Sequence, residues 1–500
     1  MTEHTAPAQH PHEPPPITRE NDLSPIQRTT VRKSVMGAMA GNAIEWFDYG
    51  IYGYLTVHLA NQIFGGTENS VLWALFGFAV SFLIRPIGGA VLGPLGDRIG
   101  RQKVLVFTIL LISVSTASIG ILPTWDMVGW LSPALLFLLR IIQGFSAGGE
   151  YAGAAVYMAE HAPDDRRGFW GSFLEFGTLL GFSMAAILVT GLEFVVGSDG
   201  MADGWWRLPF LLTLPLGIVA LLMRAKLHDS DTFKEAQEQD TRTSAWQTLR
   251  DLVTQQPKQL LKIMGITVLI NTAFYLVLTY MPTYLSTSLE MDATQAGLML
   301  VGVQLVMMVV IIPLGALTDR IGRRPILLTA AAGFTIFSIP AILLLDTGNV
   351  LLQILGLAIF GLFLVMLLCN ISASLPALFP TTVRYAGFAL GYNVATSLLG
   401  GPAGLINESL IQSTGSTLIP GFYMTVAGII GLIAILTFNE TAGRSLRGDI
   451  VPGDDDLDRV AIGQDLIGKV HDPNNELEAV QAAANGNGGG TRDGGGRSTT

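Results

Sequence analysis

Two carboxylates stand where a membrane chain tolerates them least. In the stretch GNAIEWFDYGIYGY, residues 41–54, Glu45 and Asp48 lie midway along an otherwise apolar segment of membrane-spanning length. An ionised acid at the bilayer centre costs about 2.5–3.5 kcal/mol even on the forgiving insertion scale, so such acids face a cavity or a partner and mark a pathway. The chemistry open to them is proton carriage, because a neutralised carboxyl is far cheaper to occlude than a charged one. On a helix turning about 100° per residue, Glu45, Asp48, Tyr49 and Tyr52 stand at i, i+3, i+4 and i+7 and share a face that Ala38 and Gly41 continue. Ile44, Phe47 and Ile51 fall opposite, where lipid or a neighbouring helix is expected, and Trp46 lies at the flank.

A second constellation is RIIQGFSAGGEYAGA, which sets Arg140, Gln143, Gly144, Ala147 and Tyr151 along one face with Glu150 at its edge. Its glycines allow close helix packing, while Arg140 and Glu150 are too costly to face lipid. Glu175, in the next apolar run, is a further candidate, for a gate contact or for proton transfer. Arg85 lies nearer one end of its run, where snorkelling or an interhelical pair is expected. Arg207 follows Trp205 and Trp206 in the manner of an aromatic belt with an anchor, and His58 reads as interfacial.

The elements that position these groups follow from composition. Of 500 residues half are hydrophobic and only 14% charged, with a mean hydropathy of +0.48, which excludes a soluble globular chain. The net charge of −10 comes with no basic stripe of the kind nucleic acid requires, so nucleic acid is set aside. The single Cys369 can form no intramolecular disulfide. His4, His10 and His12 are scattered through a polar, proline-rich stretch and make no metal site. No phosphate cradle or catalytic cluster points to an enzyme.

About twelve apolar runs, each near the ~20 residues that cross a ~30 Å hydrocarbon core, lie between Val35 and Phe438. They predict an all-α membrane protein, since each span must satisfy its own backbone. The expected organisation is a disordered tail at 1–34, a six-helix bundle at 35–224, a polar connector at 225–258, a second six-helix bundle at 259–438 and a largely disordered acidic, glycine-rich tail at 439–500. Lys and Arg collect in the N-terminal tail, the connector and alternate loops, whereas the opposite loops near 61–70, 124–130, 197–204, 287–292, 346–349 and 412–418 have none. Both termini are therefore expected to be cytoplasmic.

The chain also repeats itself. GPLGDRIGRQK at 93–103 returns as GALTDRIGRRP at 315–325, and Pro163 with Arg167 is echoed by Pro380 with Arg384. Two halves with a site between them near the midplane are implied. The acids and cations of these turns, Asp97, Arg98, Arg101, Asp319, Arg320, Arg323, Arg167 and Arg384, suit helix termini and are the candidate cytoplasmic gate.

The repeated Gly-x-Leu-x-Asp-Arg-x-Gly-Arg pattern resembles the loop signature of the major facilitator superfamily. The strings GNAIEWFDYGIYG, FLIRPIGG, QGFSAGGEYAGA, LTYMPTYL and ETAGRSLRG resemble its metabolite:proton symporters. That resemblance implies a bacterial-type plasma-membrane symporter, a proton as coupling ion with no other cofactor, and uptake of zwitterionic osmolytes such as proline, glycine betaine or ectoine, activated by high osmolality. Residues 449–500 carry no sustained apolar heptads, so the antiparallel coiled coil that ends some members is not expected.

On this reading the proton-coupling candidates are Glu45, Asp48, Glu150, Arg140 and Glu175. The substrate-binding candidates are Trp46, Tyr49, Tyr52, Gln143, Tyr151, Asn271 and Tyr275, since aromatic faces attract quaternary ammonium groups. Asn271 and Arg140 are alternatives for the substrate carboxylate. Symport of an organic acid such as citrate, 2-oxoglutarate or shikimate is the rival within the family, and a non-transporting osmosensor the rival outside it.

Overall fold

The first long helix starts on a local signal. Ser24 accepts a hydrogen bond from the Gln27 amide at 3.3 Å, the Gln27 side chain accepts from the Ser24 amide at 2.9 Å, and Pro25 occupies the first helical position, where its missing N–H is no loss. The structure is a computed structural model and describes residues 18–99, 101–148, 150–225, 250, 252–381 and 383–446. Helix α1, Pro25–Tyr54, thus begins before the expected span start at Val35. The tail expected to be disordered through residue 34 is instead ordered from Thr18. Thr18 and Asp164 exchange hydrogen bonds at 2.8 Å, and Glu20 pairs with Arg166 at 2.8 Å. At the other end, residues 439–446 are ordered, while most of the connector and the acidic tail lie outside the described residues.

After α1 come α2 (Thr56–Phe64), α3 (Ser70–Ile99), α4 (Arg101–Ile119), α5 (Leu131–Ser146), α6 (Glu150–His161), α7 (Arg167–Gly200) and α8 (Arg207–Ala225). The second half comprises α9 (Pro257–Tyr275), α10 (Met281–Thr287), α11 (Ala293–Ile321), α12 (Arg323–Leu345), α13 (Val350–Leu368), α14 (Arg384–Ala395), α15 (Ala403–Thr414) and α16 (Ile419–Leu436). Pairing α1 with α2, α5 with α6, α9 with α10 and α14 with α15 gives twelve passes, and no strand occurs among the described residues. Among the described residues, eight stretches are long and apolar enough to cross a membrane by themselves. Among the described residues three π-helical turns occur, Met201–Trp205 after α7, Leu276–Tyr280 between α9 and α10 and Thr396–Gly400 between α14 and α15, and the last two interrupt a pass. Such turns break the regular hydrogen-bond ladder and recur at functional sites.

The halves meet along α7 against α11, α3 against α14 and α15, and α1 against the Leu276–Tyr280 turn and α10. Small residues allow this. A Cβ on Gly168 would stand 2.5 Å from the Gly315 carbonyl oxygen, and one on Gly53 would stand 2.9 Å from Thr279 Cγ2. Within the first half α3 and α5 cross as tightly, because a Cβ on Gly144 would lie 2.1 Å from the Ser81 carbonyl oxygen and one on Gly148 2.3 Å from that of Arg85. Close backbone approach of this kind is how helices associate in lipid, where apolar side chains gain little by leaving the hydrocarbon.

Gly144→Val should therefore lower the stability of the detergent-solubilised protein by about 1–3 kcal/mol, since the facing group is backbone and cannot rotate away. Gly302→Ala, where nothing lies within 4 Å, should leave it unchanged or raise it by about 0.5–1 kcal/mol. Thermal denaturation of the two variants in parallel checks both.

Candidate functional site

At the plane where the halves meet, the chain builds a layer of aromatic rings. Trp46 is its hub, with centroid distances of 5.3 Å to Tyr49, 6.0 Å to Tyr151 and 5.9 Å to Phe182 in the first half. Phe274 at 4.9 Å and Tyr275 at 6.3 Å reach it from the second half. Tyr151 stacks on Tyr392 at 4.8 Å, Phe82 meets Tyr275 at 4.8 Å, and Tyr49 lies 5.7 Å from Phe82. The indole N–H of Trp46 donates to Asn42 Oδ1 at 3.0 Å, and Asn42 donates to the Leu174 carbonyl at 2.8 Å, which fixes the hub against α7.

Polar groups border the layer on both sides. Tyr151 donates to Glu175 Oε1 at 2.5 Å, so the buried acid of α7 is tied to a ring that touches the other half. Tyr392 donates to Asn271 Oδ1 at 3.1 Å, and Asn271 donates in turn to Thr396 in the π-helical turn. The hydroxyls of Tyr275 and Thr279 have no hydrogen-bond partner among the described residues.

The proton-carriage candidates form a separate chain inside the first half. Arg140 Nη1 donates to Gln143 Oε1 at 2.9 Å, Gln143 donates to Thr116 Oγ1, and Thr116 donates to Asp48 Oδ2 at 2.5 Å. The Arg140 guanidinium lies 3.5 Å from the centroid of Tyr52, whose hydroxyl donates to the Ala74 carbonyl at 2.6 Å. Beside this chain, Glu45 and Asp48 line a cleft between α1, α4 and α8 together with Ile44 and Phe47.

The expected division of α1 into a cavity face and an outward face is therefore corrected. Trp46 through Gly53 are all buried, because α1 is surrounded by α7, α8, α6 and the turn of the second half at this depth. Trp46 and Gly53, at i and i+7, meet Phe274 and Thr279 of the second half, while Tyr49, at i+3, packs on Phe82 of α3; Trp46 is central and not flanking. Phe47 is buried, with its backbone nitrogen against Gly181 of α7, which agrees with the neighbouring-helix alternative expected for it. Tyr52 and Gln143 belong with the acid chain. Trp46, Tyr49, Tyr151, Asn271 and Tyr275 are the expected substrate candidates that the structure brings together. The side chains of Glu150, Asp97, Arg98 and Arg101 lie outside the described residues.

The sequence reading missed Thr116, Phe274, Phe182 and Tyr392. Of the two fates expected for Arg85, snorkelling is corrected and an interhelical contact is found: it is 2% exposed, with its guanidinium carbon 4.4 Å from the Phe82 centroid and 5.0 Å from that of Tyr49 on α1. A signal existed, since Phe78, Phe82 and Arg85 recur at i, i+4 and i+7 on one helix face.

At the end of the molecule that carries the basic loops, the repeated turn closes the seam. Asp319 of α11 accepts from the amides of Gly168 and Phe169 at 2.7 and 2.8 Å, so a carboxylate of one half caps the helix start of the other. Orphan amides and the helix dipole both favour an anion there. Arg323 donates to the Ala373 and Thr441 carbonyls at 2.8 and 3.1 Å, while Arg167 donates to the Arg444 carbonyl at 3.1 Å. Arg384 pairs with Glu160 of the first half at 2.8 Å and donates to the Leu446 carbonyl. Arg320 is exposed. At the opposite end His58 pairs with Glu193 at 3.0 Å, and Arg207 donates to the Gly120 and Leu122 carbonyls at 3.1 and 2.7 Å while lying 4.6 Å from the Trp206 centroid.

Residues 38–405 match the Major Facilitator Superfamily. The chain belongs to this superfamily. Among curated relatives, the ectoine/proline transporter ProP of Corynebacterium glutamicum is 38% identical over 86% of this chain and 88% of its own. The proline/betaine transporter of Escherichia coli K12 is 35% identical over 93% of this chain and 96% of its own. Among solved structures, the proton:xylose symporter XylE shares the fold, with a TM-score of 0.66 at 19% identity, covering 84% of this chain and 98% of that one. The protein is thus a multi-pass membrane transporter of the major facilitator fold, and the relatives it matches are transporters.

Asp319→Asn should loosen the basic end, because a neutral amide gains less from the two amides and the dipole than a carboxylate does, by about 1 kcal/mol. In a Cys369→Ala background, maleimide labelling of Ser172→Cys, buried beside Gly315, should then accelerate by roughly fivefold. An unchanged rate would show that this contact does not hold the seam.

Proposed function

We propose that the protein is a proton-coupled symporter that imports small zwitterionic osmolytes, such as proline, glycine betaine and ectoine, across a bacterial plasma membrane. The observation that carries this reading is the aromatic layer contributed by both halves around Trp46. Ring faces attract a quaternary or secondary ammonium by about 0.5–2 kcal/mol each, according to how dry the site is. A site made of rings from both halves is completed only when the halves close on it, which links occupancy to the rocking that alternates access. The names of the relatives, ectoine/proline and proline/betaine transporters, support this substrate class.

Asp48 is the proposed proton carrier, with Glu45 beside it on the same cleft and Glu175 at the aromatic layer. Protonation of Asp48 removes the charge at the end of the Arg140, Gln143, Thr116 chain and lets the loaded first half reorient; no cofactor beyond the proton is needed. Inward movement of one net charge releases about 2.3 kcal/mol per 100 mV, enough for roughly fiftyfold accumulation before any pH gradient is counted. Both termini are proposed to be cytoplasmic from the basic loops, so that the seam closed by Asp319, Arg323, Arg167 and Arg384 is the cytoplasmic gate.

A second reading, symport of an organic acid, has one observation in its favour: Arg85 and Arg140 are both buried in the first half, against the rings of Tyr49, Phe82 and Tyr52. Proteoliposomes holding the full chain separate the two. Labelled glycine betaine should accumulate under an imposed proton gradient and be displaced by proline and ectoine but not by dicarboxylates; displacement by citrate or 2-oxoglutarate alone would favour the rival. Asp48→Asn should cut gradient-driven accumulation at least roughly tenfold while retaining betaine exchange under equal pH, because the driving force is lost and the ring site is kept. Full accumulation by Asp48→Asn would remove Asp48 from the mechanism.

A further inference from the structure

A zwitterion has two ends, and the aromatic layer accounts for only the cationic one. Neither sequence candidate for the anionic end is disengaged from its surroundings. Asn271 is held by Thr396 and Tyr392. Arg140, whose Nε and Nη2 are without a partner among the described residues as those of Arg85 are, is stacked on Tyr52 and bonded through Nη1 to Gln143 at the head of the acid chain, and so differs from Arg85 in position, not lying against Phe82 and Tyr49. We infer that Arg85 receives the carboxylate of the transported zwitterion. This assignment rests on the functional reading above and makes it specific.

Arg85 meets the requirements of such an anchor. It is 2% exposed, and its Nε and Nη2 have no hydrogen-bond partner among the described residues. These two N–H groups lie on one edge of the planar fork, the geometry that grips a carboxylate through two parallel bonds. The guanidinium lies against Phe82 and Tyr49, and Phe82 touches Tyr275, so the fork stands beside the ring layer at the seam. Its base is fixed. The Arg85 carbonyl packs where a Cβ on Gly148 would be only 2.3 Å away, and the Phe82 carbonyl accepts from Ser397 of the second half at 2.7 Å. A buried cation with unmade hydrogen bonds is costly, and a substrate carboxylate placed between it and the rings satisfies them. Selectivity follows, because a cationic ligand lacking the carboxylate leaves those bonds unmade.

The test compares glycine betaine with its methyl ester, which keeps the quaternary ammonium and loses the anion. Binding is read by displacement of labelled betaine from the full-length protein in proteoliposomes without a proton gradient. The wild type should prefer betaine to the ester by about 10- to 100-fold, the range expected for hydrogen bonds to a charged group. Arg85→Gln should bring the two within about threefold of one another, chiefly by weakening betaine, because the amide no longer offers a charge. Arg85→Lys should keep a reduced preference, as a point charge without the fork. Arg140→Gln should preserve it. The assignment is overturned if Arg85→Gln keeps the wild-type preference, if Arg140→Gln abolishes it, or if the wild type binds the ester as well as betaine; this last result needs no variant to fold. Failure of the wild type to bind betaine at all would instead overturn the functional reading on which the assignment rests.

Discussion

A charge held in hydrocarbon costs about 2.5–3.5 kcal/mol even on the insertion scale, and this chain keeps Asp48, Arg85, Arg140, Glu175 and Arg384 between its helices. Much of the packing follows from how each is met. Asp48 and Arg140 are joined through Thr116 and Gln143, which spans α1, α4 and α5 with hydrogen bonds and avoids a direct buried ion pair. Glu175 is met by Tyr151, and Arg384 by Glu160 of the other half. Arg85 and Arg140 each keep Nε and Nη2 without a partner among the described residues, and of the two it is Arg85 that lies against Phe82 and Tyr49 of the ring layer. A buried donor pair left in that condition beside the rings is where a ligand has most to offer.

The same economy governs the seam between the halves. The contact at the basic end is made by glycines and by a carboxylate on helix-start amides. Gly168 and Gly315 bring backbones together, Asp319 supplies the attraction, and the segment from Glu440 to Leu446 offers carbonyls to Arg167, Arg323 and Arg384 across both halves. Glu440 itself accepts from the amides of Arg323 and Arg324 at 3.0 Å, repeating at α12 the arrangement that Asp319 makes at α7. At the ring layer the π-helical turns of the second half present Thr279 to Gly53 and Thr396 to Asn271.

The sequence alone determined the class of the molecule: apolar runs of spanning length force helices, the returned DRIGR string forces two related halves, and acids at mid-span force a polar route between helices. It also marked Asp48, Arg140, Trp46 and Tyr275 as residues that matter. Their company was decided only by the tertiary structure. A helical projection gives the angle of a side chain about its own axis, whereas the neighbour at that angle depends on which helix packs there. Asp48 and Tyr49, adjacent in the chain, therefore serve different surroundings, the acid chain and the ring layer. Arg85 shows the same limit most clearly, since its depth along α3 was legible but its burial was not. What covers its guanidinium is Phe82 of its own helix and Tyr49 of α1, and a contact between such distant segments exists only once the bundle has closed.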